Sequence, residues 1–110
     1  MGANQREFFR ILYRPPDCPI FSCAAGKFNV LDVSETGLRI ALKKGHVGFF
    51  EQDVLEGQLV FPARRGTYNV KGVVIRIMER EAALQFEAAS RIPLAKIMEE
   101  QRILIQKGRL

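Results

Sequence analysis

The chain reads as a mainly β protein, a small antiparallel barrel or sandwich with one helix at its end. Three observations point there. Short runs of alternating apolar residues recur along the chain, and the signature of such runs is a series of half-buried strands. Between them lie close-set turn formers, among them Gly26, Ser34, Gly37, Gly66 and the Glu79-Arg80-Glu81 stretch. The tail breaks this rhythm, because Leu94, Ile97, Met98, Leu104 and Ile105 recur at helical spacing. At 110 residues, with 47% apolar and 26% charged residues, the chain is one globular domain with room for a single core.

Residues 1–7 are polar and are expected to form a flexible arm reaching to about residue 10. Phe8, Phe9, Ile11, Leu12 and Tyr13 lead into a first strand, which Arg14-Pro15-Pro16-Asp17 stops. Pro19 to Cys23 reads as a short strand, placed at an edge because proline cannot donate to a ladder. Ala24-Ala25-Gly26 turns the chain into the next strand, which ends at Asp32. Asp32-Val33-Ser34-Glu35-Thr36-Gly37 is a tight connection. Asp and Ser bond nearby backbone, and Gly37 is expected to supply φ > 0. Leu38, Ile40 and Leu42 then face one side, with Arg39, Ala41 and Lys43 on the other.

Residues 43–57 carry a mixed signal. Lys43-Lys44-Gly45 and Gly48 read as loop, whereas Phe49, Phe50, Val54 and Leu55 call for burial. A loop or helical turn anchored by these four is expected. Gln58 to Ala63 reads as a strand stopped by Pro62, and Arg64-Arg65-Gly66 as a hairpin turn. Thr67 to Met78 is a long strand with a bulge or corner expected at Gly72. Ala82 to Glu87 returns. Ser90 is placed to cap a helix over residues 91–107, with Pro93 in its first turn and Gly108 at its exit.

Net charge is +5 and the isoelectric point is near 9.6. The excess is mild and dispersed, so it permits a phosphate-bearing partner without requiring one. No apolar run approaches the ~18 residues of a membrane span, and no signal-peptide core precedes the domain. Cys18 and Cys23 are too few for a disulfide framework and are expected to be reduced thiols in a cytoplasmic protein. His46 is the only histidine, so no Ser/His/acid or Cys/His nucleophile set can be assembled, and Cys18, Cys23 and His46 lack a fourth metal ligand. No glycine-rich phosphate loop opens a helix. The expected protein is neither an enzyme nor a metalloprotein.

Two motifs remain. Arg6-Glu7-Phe8-Phe9-Arg10 places two arginines four apart, and Asp32-x-Ser34-x-x-Gly37 places a carboxylate, a hydroxyl and a glycine on one turn. Each alone is ordinary, a basic terminus and a hairpin. Together, in this order and in a small basic β-rich chain, they resemble the two-part signature of the PilZ domain, a bacterial receptor for cyclic di-GMP. The resemblance extends over Gly57 to Phe61, Val70 to Ile77, Ala82 to Phe86 and the terminal helix. It implies an antiparallel barrel of six to seven strands with the C-terminal helix packed on it.

The resemblance also implies roles. Arg6 and Arg10 would take guanine Hoogsteen edges and phosphates, since a guanidinium fork matches both. Asp32 and Ser34 would accept from guanine donors, and Gly37 would admit the ligand close to the backbone. Arg39 and Arg76 are additional candidates, because Gln5 and Glu7 stand where the family often carries further arginine. The nucleotide is a ligand, with no cofactor beside it. The implied activity is that of an adaptor: binding orders the arm and signals to an unidentified protein controlling motility, surface attachment or polysaccharide export. Two other readings use the same fold. One is a barrel binding single-stranded nucleic acid, although the stacking aromatics are not evident. The other is a protein-interaction module that binds no nucleotide.

Overall fold

The computed structural model describes residues 9–46 and 48–108. Seven strands make one antiparallel sheet: β1 (Ile11–Leu12), β2 (Ile20–Cys23), β3 (Gly26–Val33), β4 (Gly37–Ala41), β5 (Val54–Val60), β6 (Thr67–Ile77) and β7 (Glu81–Phe86). Six of them close a barrel in the order β3-β2-β5-β6-β7-β4, with β4 returning to β3. Closure pairs the barrel strands on both flanks over most of their length, apart from short stretches such as residues 26–28 of β3. The short β1 lies beside β2 on the same flank of β3, pairing Ile11 with Val33 and Leu12 with Asp32. The expected barrel is therefore the observed one. Phe21, Val30, Ile40, Leu59 and Val74 point inward from five strands and are fully buried, and this apolar burial is the main stabilising term.

Several local expectations give way to tertiary packing. β2 is an interior strand, paired to both β3 and β5, because Pro19 stands just outside it and contributes only its carbonyl, which accepts from Val30 N–H at 2.9 Å. β5 begins at Val54, four residues earlier than expected. Gly57 permits this, since a Cβ there would meet the carbonyl oxygen of Ser22 on β2. In the loop before it Phe49 is buried and Phe50 exposed, and Val54, the first residue of β5, is exposed too, so Phe50 and Val54 anchor nothing. The bulge of β6 falls between Val74 and Arg76 rather than at Gly72. Gly72 serves close strand packing, since a Cβ there would lie 2.6 Å from the backbone oxygen of Gln85.

The tail is a short 3₁₀ turn, Ala88–Ser90, followed by α1 (Leu94–Gln106). The helix starts three residues later than expected, with Pro93 at its N-cap. Ser90 does not cap it, because its hydroxyl accepts from Lys71 N–H at 2.9 Å and ties the 3₁₀ turn to β6. α1 buries Ile97 and Leu104 against the barrel, and beside them Lys96 and Glu100.

That buried pair belongs to a network. Glu100, with no exposed surface, accepts from Tyr13 Oη at 2.8 Å and from Arg65 at 2.7 and 3.0 Å. Lys96 Nζ lies 3.3 Å from the same carboxylate, donates to the Arg65 carbonyl, and sits 4.5 Å from the centre of the Phe61 ring. Arg65 is delivered by the β5–β6 turn, where Ala63 and Arg64 both take left-handed backbone, φ 58° each, which costs energy in residues that carry a Cβ. Burial pushes the Glu100 carboxyl up, but the hydrogen bonds from Arg65 and Tyr13 and the charges of Arg65 and Lys96 outweigh it, leaving the group below the usual carboxylate range. The Tyr13 hydroxyl is pushed up by burial and by Glu100.

Candidate functional site

The site is built where β3 hands over to β4. The ladder between them pairs Val30 with Ile40, then skips Leu31 and resumes at Asp32↔Arg39. This bulge breaks strict alternation, so Val30, Asp32 and Val33 are all buried. A carboxylate is thereby carried to a position that is 1% exposed, which is tolerable only if it is paired.

Two arginines pair it, and they differ in character. Arg39 Nε donates to Asp32 Oδ2 at 2.5 Å, while Arg39 Nη1 reaches Glu81 at 2.7 Å. Arg39 stands on β4 and Glu81 on the neighbouring β7, so this link is braced by two strands. Its hydrogen bonds to Asp32 and Glu81 raise the Arg39 pKa above its ordinary value despite partial burial. Arg10, just ahead of β1, is more loosely held. Its Nη1 lies 3.3 and 3.4 Å from the two Asp32 oxygens, and its side chain is 39% exposed.

Ser34 is 4% exposed and organises the turn itself. Its N–H donates to the Gly37 carbonyl at 2.9 Å, and its hydroxyl accepts from Thr36 N–H at 3.2 Å. The turn is stapled to the end of β7 and the segment beyond it, since Thr36 O accepts from Phe86 N–H at 2.7 Å and Glu35 O accepts from Ile92 N–H at 3.0 Å. Gly37 departs from the expectation of positive φ: it is the first residue of β4, paired with Gln85. What requires glycine there is strand packing, because a Cβ would strike the Leu84 carbonyl oxygen.

Arg10, Ser34, Gly37, Arg39 and Arg76 all line one open cleft of about 270 Å³. Arg76 is exposed on β6. The fold thus brings together six of the seven residues singled out in the sequence: five on the cleft and Asp32 behind Arg10 and Arg39. Arg6, the seventh, lies outside the described residues, as do Gln5 and Glu7. Glu81, which braces Arg39, carried no local signal because the pair is formed across strands 42 positions apart. The cleft can offer three guanidinium groups and a hydroxyl to an anionic, hydrogen-bonding ligand.

Among the described residues, no helix is long and apolar enough to cross a membrane. Comparison with known structures finds the same barrel elsewhere. The PilZ domain of Escherichia coli YcgR, solved with c-di-GMP, superposes with a TM-score of 0.71 at 14% identity, covering 96% of this chain and 99% of that one. A longer structure of E. coli YcgR in complex with c-di-GMP gives a TM-score of 0.59 at 20% identity, covering 96% of this chain and 46% of that one. An uncharacterized Legionella protein gives 0.58 at 16% identity, over 93% and 99% of the two chains. Among curated proteins none matches. A family model for the PilZ domain matches residues 4–101, a span that takes in the arginines, the turn and every strand of the barrel, and the chain accordingly belongs to the PilZ domain family.

Proposed function

We propose that this protein is a cyclic di-GMP receptor that acts as an adaptor. The observation that carries the reading is the Asp32 carboxylate, buried behind one fixed arginine and one exchangeable arginine at the cleft formed with Ser34, Gly37 and Arg76. Guanine presents N1–H and an N2 amine on one edge and the O6 and N7 acceptors on the other. A carboxylate fits the first edge and a guanidinium fork the second.

Binding is then an exchange of partners. Arg39 stays on Asp32, because Glu81 holds its other end. Arg10, longer in its contact and more exposed, leaves Asp32 for the nucleotide, and the guanine donors take its place. Ser34 turns its hydroxyl from the Gly37 carbonyl, 3.4 Å away, to the base. Arg6 joins from the arm, and Arg39 and Arg76 add positive charge near the phosphates. The displacement of Arg10 alters the surface next to β1, and a protein partner controlling motility, surface attachment or polysaccharide export reads that change. Support comes from membership of the family and from the c-di-GMP named with the E. coli YcgR domain.

Titration calorimetry tests the reading. The expected result is saturable binding of cyclic di-GMP, with little response to GTP or to single-stranded DNA. Arg10→Ala is expected to remove about 1.5–3 kcal/mol, the worth of a hydrogen bond to a charged group, which is roughly tenfold to over a hundredfold in affinity. Equal binding by wild type and Arg10→Ala would remove Arg10 from the site. No binding by wild type would remove the proposal.

A further inference from the structure

The far end of β3 has a feature of its own, independent of the nucleotide reading. The β3–β4 ladder begins only at Val30↔Ile40, although β3 starts at Gly26 and stays paired to β2 down to Gly26↔Cys23. Residues 26–28 therefore have a partner strand on one flank and none on the other among the described residues. Val30 N–H donates to Pro19 O in the β2 register. Backbone groups alternate in direction along an antiparallel strand, so Lys27 directs its N–H and C=O toward the open flank.

Side-chain chemistry sharpens this. Carrying the register three residues beyond Val30↔Ile40 sets Lys27 opposite Lys43. Like charges facing across strands are unfavourable, and an anion between them converts that repulsion into two attractions. The gap is a cavity of about 360 Å³ with Lys27, Asn29, Lys43 and His46 at its rim and Phe28 and Leu42 beneath, and no carboxylate lines it. The other lysines are matched: Lys71 to Glu87, Lys96 to Glu100 and Lys107 to Asp17. Lys27, Lys43 and the adjoining Lys44 pair with no carboxylate among the described residues. His46 forms a fixed wall, its ring against Phe28 and Phe49 and its Nε2 accepting from Gly48 N–H at 3.1 Å.

We propose that this opening between β3 and β4 binds an extended acidic peptide segment of a protein partner. The unpartnered backbone at Lys27 accepts a strand, the lysines accept its carboxylates, and Phe28 and Leu42 accept an apolar side chain between them. A nucleic acid is the poorer fit. The aromatic rings here are engaged with one another rather than offered as stacking faces, and a phosphodiester brings no donor for the Lys27 carbonyl, which a peptide N–H would satisfy. Lys27 is five residues along β3 from Asp32, about 16 Å at strand rise, so the two sites are separate.

Fluorescence anisotropy of the full chain with a labelled ten-residue peptide of alternating Glu and Val is the test. Saturable binding is expected, weakened about tenfold or more by the double change Lys27→Glu/Lys43→Glu and largely kept by Lys27→Arg/Lys43→Arg. N-methylation of alternate peptide bonds in the probe is expected to weaken it several-fold, which a purely electrostatic contact would not show. Thermal unfolding and cyclic di-GMP titration of the variants separate this result from misfolding or from failure of the nucleotide site. The proposal is overturned if charge reversal has no effect on a folded variant. It is equally overturned if the Lys/Val version of the peptide binds as well, or if these lysines bind a ten-nucleotide single strand or phosphatidylserine vesicles more tightly than the acidic peptide.

Discussion

Two buried carboxylates, Asp32 and Glu100, sit in the same small fold and do different work. Both have about 1% exposure or less, and both have two cationic neighbours. Every partner of Glu100 is seated in packed structure: Tyr13 is 5% exposed, Lys96 lies on α1, and Arg65 is fixed by its turn and almost covered. Asp32 has one partner of that kind, Arg39, and one that reaches in from the surface, Arg10. A carboxylate whose partners are all rigid holds the molecule together. A carboxylate with one loosely held partner is free to trade it. Burial of the carboxylate alone does not distinguish the two; the exposure and contact length of the counter-ion do.

The largest expected effect breaks the rigid case. Glu100→Ala leaves Arg65 and Lys96 without their common partner, and removing one side of a buried ion pair costs about 3–5 kcal/mol, a large share of the roughly 5–15 kcal/mol typical of a domain. Urea unfolding measures it, and a loss below about 1 kcal/mol would mean the network is solvated and replaceable. The same carboxyl sets an acid limit. Its folded pKa lies below its unfolded one, so its stabilisation is complete above the unfolded value of about 4.3 and is lost as pH falls through the lower folded value. Glu100→Gln is expected to flatten that part of the stability profile.

Next in size is Gly37→Ala, which tests why a glycine stands in the turn. The added methyl meets the Leu84 carbonyl, and overpacking of this kind costs about 1–3 kcal/mol. Lower thermal stability without nucleotide present is the expected outcome. Unchanged stability with weakened cyclic di-GMP binding would instead assign the glycine to ligand approach alone. The smallest effect belongs to Arg10→Ala. With the side chain 39% exposed and Arg39 still on Asp32, the change in unfolding free energy is expected within about 0.5 kcal/mol. A large loss would place Arg10 with Arg65 as a structural residue and erase the contrast.

The legible parts of this molecule are those encoded by neighbours in sequence. Asp32, Ser34 and Gly37 form one turn, the strand alternation of Leu38 and Ile40 is local, and the helix over Leu94–Gln106 repeats its own period. What could not be read depends on residues far apart. Nothing local to Lys96 and Glu100 marks them for burial, because Tyr13, 87 positions from Glu100, and Arg65 are what close over them. Gly72 reads as a bulge or corner, whereas it is, like Gly57, a place where a neighbouring backbone comes too near for a side chain. Ser90 has the chemistry of a helix cap, but a β6 amide claims its oxygen first. Of the candidate cleft residues, Asp32, Ser34, Gly37 and Arg39 are legible together because one hairpin carries them, whereas Glu81, brought to Arg39 by strand pairing, gives no local signal.

The two-residue strand β1 joins these regions. Arg10, at its leading end, touches Asp32, and Tyr13, just past its trailing end, touches Glu100 on α1. Tyr13 lies three positions along from Arg10, about 10 Å of extended backbone. A displacement at Arg10 therefore meets a tether too short to absorb it as slack, one that β3 holds along its length and that ends on the C-terminal helix.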